Sequence, residues 1–319
     1  MEGYEVRYIR TKSKVRKIIT YAQDDNYHRN YHEKVVEYIY RYTIPSKFSK
    51  AYYPGSSIFY NAEAHLYNDI FIKLDIDNFF PSIDHSYLVA CLHYEISKQK
   101  EISYKECFNI VEECSVSDKG LPLGLVSSPV LANLYLKQFD GLLYGYLKKT
   151  GIKNPIYTRY SDDLVISFKD DHIDNQIVND IIMQVGKLLK KFKLSLNKKK
   201  TQIIDLNISN HVRITGISIT KSKDGYRRLS VGSKMKNRLF WSTINAFNNK
   251  NSVSIGEIHR LKGLCAYVLS IEKQGLEKSY SEKMISMIKE RGFESLSDMI
   301  NHLYVEKNNN ENVKKQSIT

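Results

Sequence analysis

The chain has 319 residues, room for about two domains or one large one, and 42% of them are hydrophobic, an ordinary globular composition. Lys and Arg number 48 against 35 Asp and Glu, a formal net charge of +13, which points to a polyanionic partner, nucleic acid before a membrane surface. The four cysteines (Cys91, Cys107, Cys114 and Cys265) form no CxxC pair, the amino terminus has no apolar signal core, and no run approaches the roughly 18 apolar residues of a spanning helix. A zinc or disulfide scaffold and a membrane protein are thereby set aside. A cytoplasmic protein with buried thiols is expected. Tyrosine is abundant, 24 against 12 Phe and 1 Trp. Tyrosine suits half-wet surfaces and stacks on bases, though compositional drift explains it as well.

In chain order, residues 5–21 read as a basic β-hairpin, two alternating runs around a Lys-rich turn. Residues 29–44 suit a helix, with Val35, Val36, Ile39 and Tyr40 apolar. Residues 71–76 are a strand and 84–98 a helix. The clearest helix spans 129–149, with Ser128 able to cap it, Pro129 in its first turn and Gly151 ending it. A tight hairpin over 156–168 follows, then an amphipathic helix over 173–192. Short strands are expected near 201–205, 212–219 and 226–231, and helices from 233 onward. Residues 307–319 are polar and read as a frayed tail. The whole is α+β with a helical C-terminal part.

Two acidic features stand out. Strand alternation over Phe71-Ile-Lys-Leu-Asp-Ile-Asp77 puts Phe71, Lys73, Asp75 and Asp77 on one face. Asp is disfavoured in strands, so Asp75 between Leu74 and Ile76 needs a reason, and a cation is one. Asp162 and Asp163 sit together in the second hairpin, where two carboxylates repel unless water or a cation intervenes. A strand-end turn residue and an exposed acidic turn are the bland alternatives. The conjunction favours function: three aspartates converging from two strands suit two-metal phosphoryl transfer on a nucleic acid.

Four motifs in order resemble those of reverse transcriptases: Leu-Asp-Ile-Asp-Asn-Phe-Phe-Pro-Ser at 74–82, Gly-Leu-Pro-Leu-Gly-Leu-Val-Ser-Ser-Pro-Val-Leu-Ala-Asn-Leu at 120–134, Tyr-Ser-Asp-Asp-Leu at 160–164, and Leu-Asn-Lys-Lys-Lys-Thr at 196–201. The likeness runs from about 5 to 275. Two more elements resemble the retron-type members: Asn61-Ala62-Glu-Ala-His65, fitting Asn-Ala-x-x-His, and Ile214-Thr215-Gly216, fitting Val-Thr-Gly with Ile for Val. A helix N-terminus for Asn61 and a strand bulge for Gly216 are the structural alternatives.

The resemblance implies a right-hand polymerase fold: fingers and palm over 1–230, with the fingers mainly 1–70 and 84–120 and an antiparallel palm sheet, then an α-helical thumb over 231–319 whose Leu261–Ser270 segment matches the retron pattern. It makes Asp75, Asp162 and Asp163 the catalytic ligands of two Mg²⁺, with the Ile76 carbonyl as a further oxygen. Phe80 takes the steric-gate position that selects dNTPs. Leu123 and Gly124 lie in the loop beneath the incoming nucleotide, and Leu123 stands where the family usually has Gln, so a polar contact to the sugar is lost. Ser161 replaces the usual Ala. Arg16 and Lys17, with Lys12 and Lys14 as alternates, fit the hairpin that grips the triphosphate, and a solvated basic face fits them as well. Lys199 or Lys200 fits the lysine near the fourth motif that assists pyrophosphate release.

Function follows as RNA-templated DNA synthesis. The retron type implies a cognate structured noncoding RNA, priming from a guanosine 2′-OH, a branched RNA–DNA product (msDNA), and a role in anti-phage defence with an effector protein encoded nearby. No membrane is involved. The alternatives are another bacterial reverse transcriptase, intron-encoded or of the abortive-infection type, and a non-catalytic nucleic-acid-binding protein on a palm scaffold.

Overall fold

The computed structural model describes residues 3–10, 15–117, 119–273 and 275–316. They form two compact units, 1–215 and 216–319.

The first unit opens with β1 (Tyr4–Arg10) and β2 (Val15–Tyr21), paired antiparallel from Tyr4↔Tyr21 to Arg10↔Val15. Lys12 and Lys14 lie outside the described residues. Helix α1 (Tyr27–Tyr42) buries His32, Val35 and Ile39. A short α2 (Ile58–Glu63), capped by Ser57, leads to β3 (Ile70–Asp75) and to one turn of helix, α3 (Phe79–Ser82). Then come α4 (His85–Ile96), capped by Asp84, and α5 (Tyr104–Glu113), closed by a Ser103–Glu106 capping box.

The long helix expected over 129–149 is two helices, α6 (Ser128–Tyr135) and α7 (Lys137–Leu147). The break falls at Leu136, whose ψ of 0° leaves the helical range. Both pieces bury most of their apolar stripe, with Leu142 left exposed. Ser128 is not the cap: Ser127 takes that position without a side-chain bond, and Ser128 lies in the first turn. The helix also ends before Gly151.

A four-stranded sheet has the order β4-β5-β3-β6. Strands β4 (Lys153–Tyr160) and β5 (Asp163–Lys169) are the expected hairpin, and β6 (Gln202–Asp205) flanks β3 on its other side. All pairs are antiparallel, so β3 is central. This explains its composition: Ile70, Phe71 and Ile72 are fully buried on both faces, where alternation predicts one polar face. Strand β3 also ends at Asp75, so Asp77 lies beyond it. Helix α8 (Asn175–Lys191) buries Val178, Ile181, Val185, Leu188 and Leu189 in the same core. Strand β7 (His211–Ile214) closes the unit.

The second unit holds β8 (Ile217–Lys221) paired with β9 (Arg227–Ser230), then α9 (Ser233–Asn248), α10 (Ile255–Ile271), α11 (Glu282–Lys289) and α12 (Leu296–Gln316). The single strand expected over 212–219 is therefore β7 and β8, divided at Thr215 and Gly216, both at positive φ. The tail expected from 307 is helical to Gln316. Leu296, Met299, Ile300 and Leu303 anchor the start of that helix in the core, so it propagates through a polar sequence that would not form one alone. Cys107, Cys114 and Cys265 are buried thiols as expected, while Cys91 is only half-buried.

Candidate active site

Asp75 is the last residue of β3, and its register partner across the sheet is Asp163, the first residue of β5. The Ile76 amide donates to the Asp162 carbonyl at 3.0 Å, which ties the strand end to the hairpin turn. The segment before β6 lies against the same corner: Asn197 N–H donates to the Asp75 carbonyl and Asp77 N–H to the Ser195 carbonyl, each at 2.8 Å. A turn of 3₁₀ helix, Lys198–Lys200, then brings Lys200 Nζ to 2.6 Å from Asp75 Oδ2.

Asp75 is buried, Asp162 half-buried and Asp163 exposed. Burial raises the Asp162 pKa, and the charge of Asp75 adds to it. Asp163 is open at the residue surface, yet protein packed around its carboxyl group desolvates it, and this, then the charges of Asp162 and Asp75, pushes its pKa up to about 6 against the pull of Lys200 and Lys73. The carboxylates thus repel one another at a corner that Lys73, Lys199 and Lys200 share. Its donors are hard oxygens, which suit a divalent cation of the Mg²⁺ kind. Among the described residues no three metal-ligating side chains are gathered closely enough to hold one ion together. Asp75 is engaged by Lys200, so a cation would have to displace that ammonium.

A pocket of about 300 Å³ opens beside the carboxylates, lined by Lys73, Asp75, Asp163, Lys200, Gln202 and Thr215 among others. Lys73 has the same strand face as Asp75, is half-buried, and donates to Gln202 Oε1 at 3.2 Å.

Of the residues expected beneath the nucleotide, Phe80, Leu123 and Gly124 lie in one linked region. Leu121 N–H donates to the Phe80 carbonyl at 2.8 Å and Gly120 N–H to the Ile83 carbonyl at 3.0 Å, which seats the 120–124 loop on α3. At Gly120, with φ +79°, a Cβ would stand 2.6 Å from the Pro81 carbonyl oxygen. The Leu123 carbonyl accepts from Ile19 N–H at 2.8 Å, joining the loop to β2. Gly124, with φ +113°, would put a Cβ 2.3 Å from the Ile19 oxygen. Phe80 is buried and packs on Phe79, with ring centroids 5.3 Å apart. The Leu123 side chain is half-buried against the core. Arg16 and Lys17 stand exposed on β2, just before Ile19.

The retron-type elements meet as well. Asn61, Ala62 and His65 are fully buried, and Asn61 Nδ2 donates to Thr215 Oγ1 at 3.2 Å across 154 positions of sequence. Thr215 has φ +44°, and Gly216 follows it at the start of the second unit. Thr215 lines the pocket beside Asp75 and Asp163.

His65 sits 2.7 Å from both Ser167 Oγ and Thr158 Oγ1. Ser167 Oγ accepts from Asn68 Nδ2 and can donate to His65 Nδ1, so the Nε2–H tautomer serves Thr158. Burial lowers the His65 pKa to about 3. The unfolded chain then binds a proton that the folded one refuses between pH 6.5 and about 3. This group's stabilisation is full above pH 6.5 and declines by about 1.4 kcal/mol per unit as pH falls through that window. Urea titrations from pH 7 to 4 should show that slope in the wild type and a shallower one in His65→Gln.

Sequence reasoning missed one cluster. Arg159 in β4 is fully buried and pairs with Asp140 of α7, which is also fully buried. The only signals were an Arg inside an apolar strand and an Asp inside an apolar helical stripe.

Residues 11–219 match the reverse transcriptase (RNA-dependent DNA polymerase) family. The retron Ec83 reverse transcriptase of Escherichia coli is 27% identical over 265 residues, covering 80% of each chain. The retron Ec86 enzyme of the same organism is 26% identical, covering 76% of this chain and 72% of its own. A telomerase structure from Candida albicans, solved with a fragment of telomeric RNA, aligns at a TM-score of 0.48 and 12% identity. It covers 96% of this chain, which spans 61% of that one. The chain belongs to the reverse transcriptase family, the RNA-dependent DNA polymerases.

No helix among the described residues is long and apolar enough to cross a membrane.

Proposed function

We propose that the chain is the RNA-directed DNA polymerase of a retron, copying a cognate structured noncoding RNA into branched, RNA-linked DNA. The observation that carries this is the meeting of separately recognised elements: Asp75 opposite Asp163 at one sheet end, with Thr215, which accepts a hydrogen bond from Asn61, lining the pocket beside them.

In this reading residues 1–230 are fingers and palm, and 231–319 a thumb that grips the RNA. Two Mg²⁺ at the carboxylates would activate the priming hydroxyl and neutralise the triphosphate. Asp75, Asp162 and Asp163 hold that charge, with the Ile76 carbonyl beside them. Lys200 would leave Asp75 as the site fills and turn to the departing pyrophosphate, protonated there as any lysine is at neutral pH. Arg16 and Lys17 meet the triphosphate, Phe80 crowds a ribose 2′-OH, and Gly124 lets the backbone approach the nucleotide. Leu123 supports the sugar by packing alone. Priming from a guanosine 2′-OH, an effector encoded nearby, a defence role and a cytoplasmic location complete the reading.

The test is the nucleic acid that copurifies with the wild-type chain. A short DNA joined to RNA through a 2′–5′ bond that debranching enzyme cleaves is expected. Linear cDNA alone would transfer the chain to another reverse transcriptase class, such as an intron-encoded or abortive-infection type.

A further inference from the structure

The turn that presents Asp162 has only two residues, Ser161 and Asp162, and Ser161 sits at φ +60°. A two-residue hairpin turn normally places glycine at such a position, so a serine there is strained. Directly beneath it lies the Arg159 guanidinium, and each of its five N–H groups has an acceptor. Nε and one N–H of Nη2 form a fork on Asp140, at 2.9 Å each. The second N–H of Nη2 reaches the Asn133 carbonyl at 3.4 Å, and one of Nη1 reaches Asn133 Oδ1 at 2.9 Å. The fifth goes to the Ser161 carbonyl at 3.3 Å.

The anchors are themselves held. Tyr157 donates to Asp140 Oδ1 at 2.7 Å, and Asn133 Nδ2 donates to the Ala51 carbonyl at 2.7 Å. The Arg159 backbone is clamped to a neighbouring segment, its amide on the Phe48 carbonyl and its carbonyl on the Lys50 amide. A buried ion pair is a poor way to gain stability, since apolar side chains of the same volume do as well. What an apolar filling cannot do is fix the direction of a peptide plane.

We propose that Arg159, oriented by Asp140 and Asn133, is a positioning residue that locks the Ser161–Asp162 peptide and so aims Asp162 and Asp163 at Asp75. The inference rests on the reading of those aspartates as the catalytic ligands. A lysine cannot replace the arginine, because one ammonium cannot span Asp140, Asn133 and the turn.

The experiment uses full-length chains in primer extension on an RNA template, with the Arg159→Met/Asp140→Leu double variant, Arg159→Lys, and Arg159→Lys combined with Ser161→Gly. The double variant should melt cooperatively and bind template–primer as the wild type does. Its kcat should fall about 10²-fold, with dNTP KM little changed and more Mg²⁺ needed for the half-maximal rate. Arg159→Lys should lose rate in the same way, and Ser161→Gly should restore part of it, because glycine accepts the positive φ without being held. If the double variant does not fold, the Lys pair decides alone. Folded variants with wild-type kcat and Mg²⁺ dependence, or a Lys variant that glycine does not rescue, overturn the proposal. Asp162→Asn is the control: activity in that variant would instead overturn the reading of the aspartates.

Discussion

Asp162→Asn is expected to fold as the wild type does, to melt at a higher temperature in EDTA at pH 7.5, and to lose RNA-templated DNA synthesis by about 10³-fold or more. The same holds for Asp163→Asn. Both carboxyls have raised pKa values, Asp163 at about 6, through burial and the charge of their neighbours. A carboxyl whose folded pKa lies above its unfolded value favours the folded state while protonated. That stabilisation is present below the unfolded pKa and is lost as pH rises through the raised folded pKa, about 6 for Asp163. An asparagine keeps the shape and has no charge to lose it with. The gain in melting temperature should therefore appear at pH 7.5 and vanish near pH 4. Divalent cation should reverse the order, raising the wild-type melting temperature and leaving Asp162→Asn nearly unmoved. Thermal melts with and without Mg²⁺, beside an extension assay, check all of this. A variant that loses activity and also stability would mean that Asp162 is structural.

Asp140→Ala should be the most destabilising single change away from that corner, at about 3–5 kcal/mol. It removes the only carboxylate facing the Arg159 guanidinium among the bonds described, and both residues are fully buried. Two N–H groups and the Tyr157 hydroxyl then lose their acceptor without water to replace it. Asp140→Asn, which keeps one acceptor oxygen, should fall between. Urea denaturation at pH 7.5 measures the difference. A loss below about 1 kcal/mol for the alanine variant would show that water reaches the guanidinium.

Much of this was readable in the residues. The aspartates, the hairpins and the amphipathic helix over 173–192 follow from local pattern, because alternation and helical spacing register which face is buried. The motif order further joined Asp75 to Asp162 and Asp163. The misses share a cause. The break at Leu136 lies in an unbroken apolar stripe, and no local residue signals it. Its neighbour Asn133 answers a guanidinium 26 positions away. The burial of Phe71 on the supposed polar face of β3 depends on strands pairing from both sides. Polar residues over 307–316 argue against a helix that Leu303 and its neighbours carry from within the core. Each of these is a tertiary contact overriding a local preference, and one sequence records only the preference.

Primer extension tests most directly whether these aspartates run DNA synthesis on RNA. Purified wild-type chain, an RNA template, a DNA primer, dNTPs and Mg²⁺ should give full-length cDNA that EDTA abolishes and that Asp162→Asn fails to make. No extension by the wild type, or equal extension by Asp162→Asn, would contradict that role.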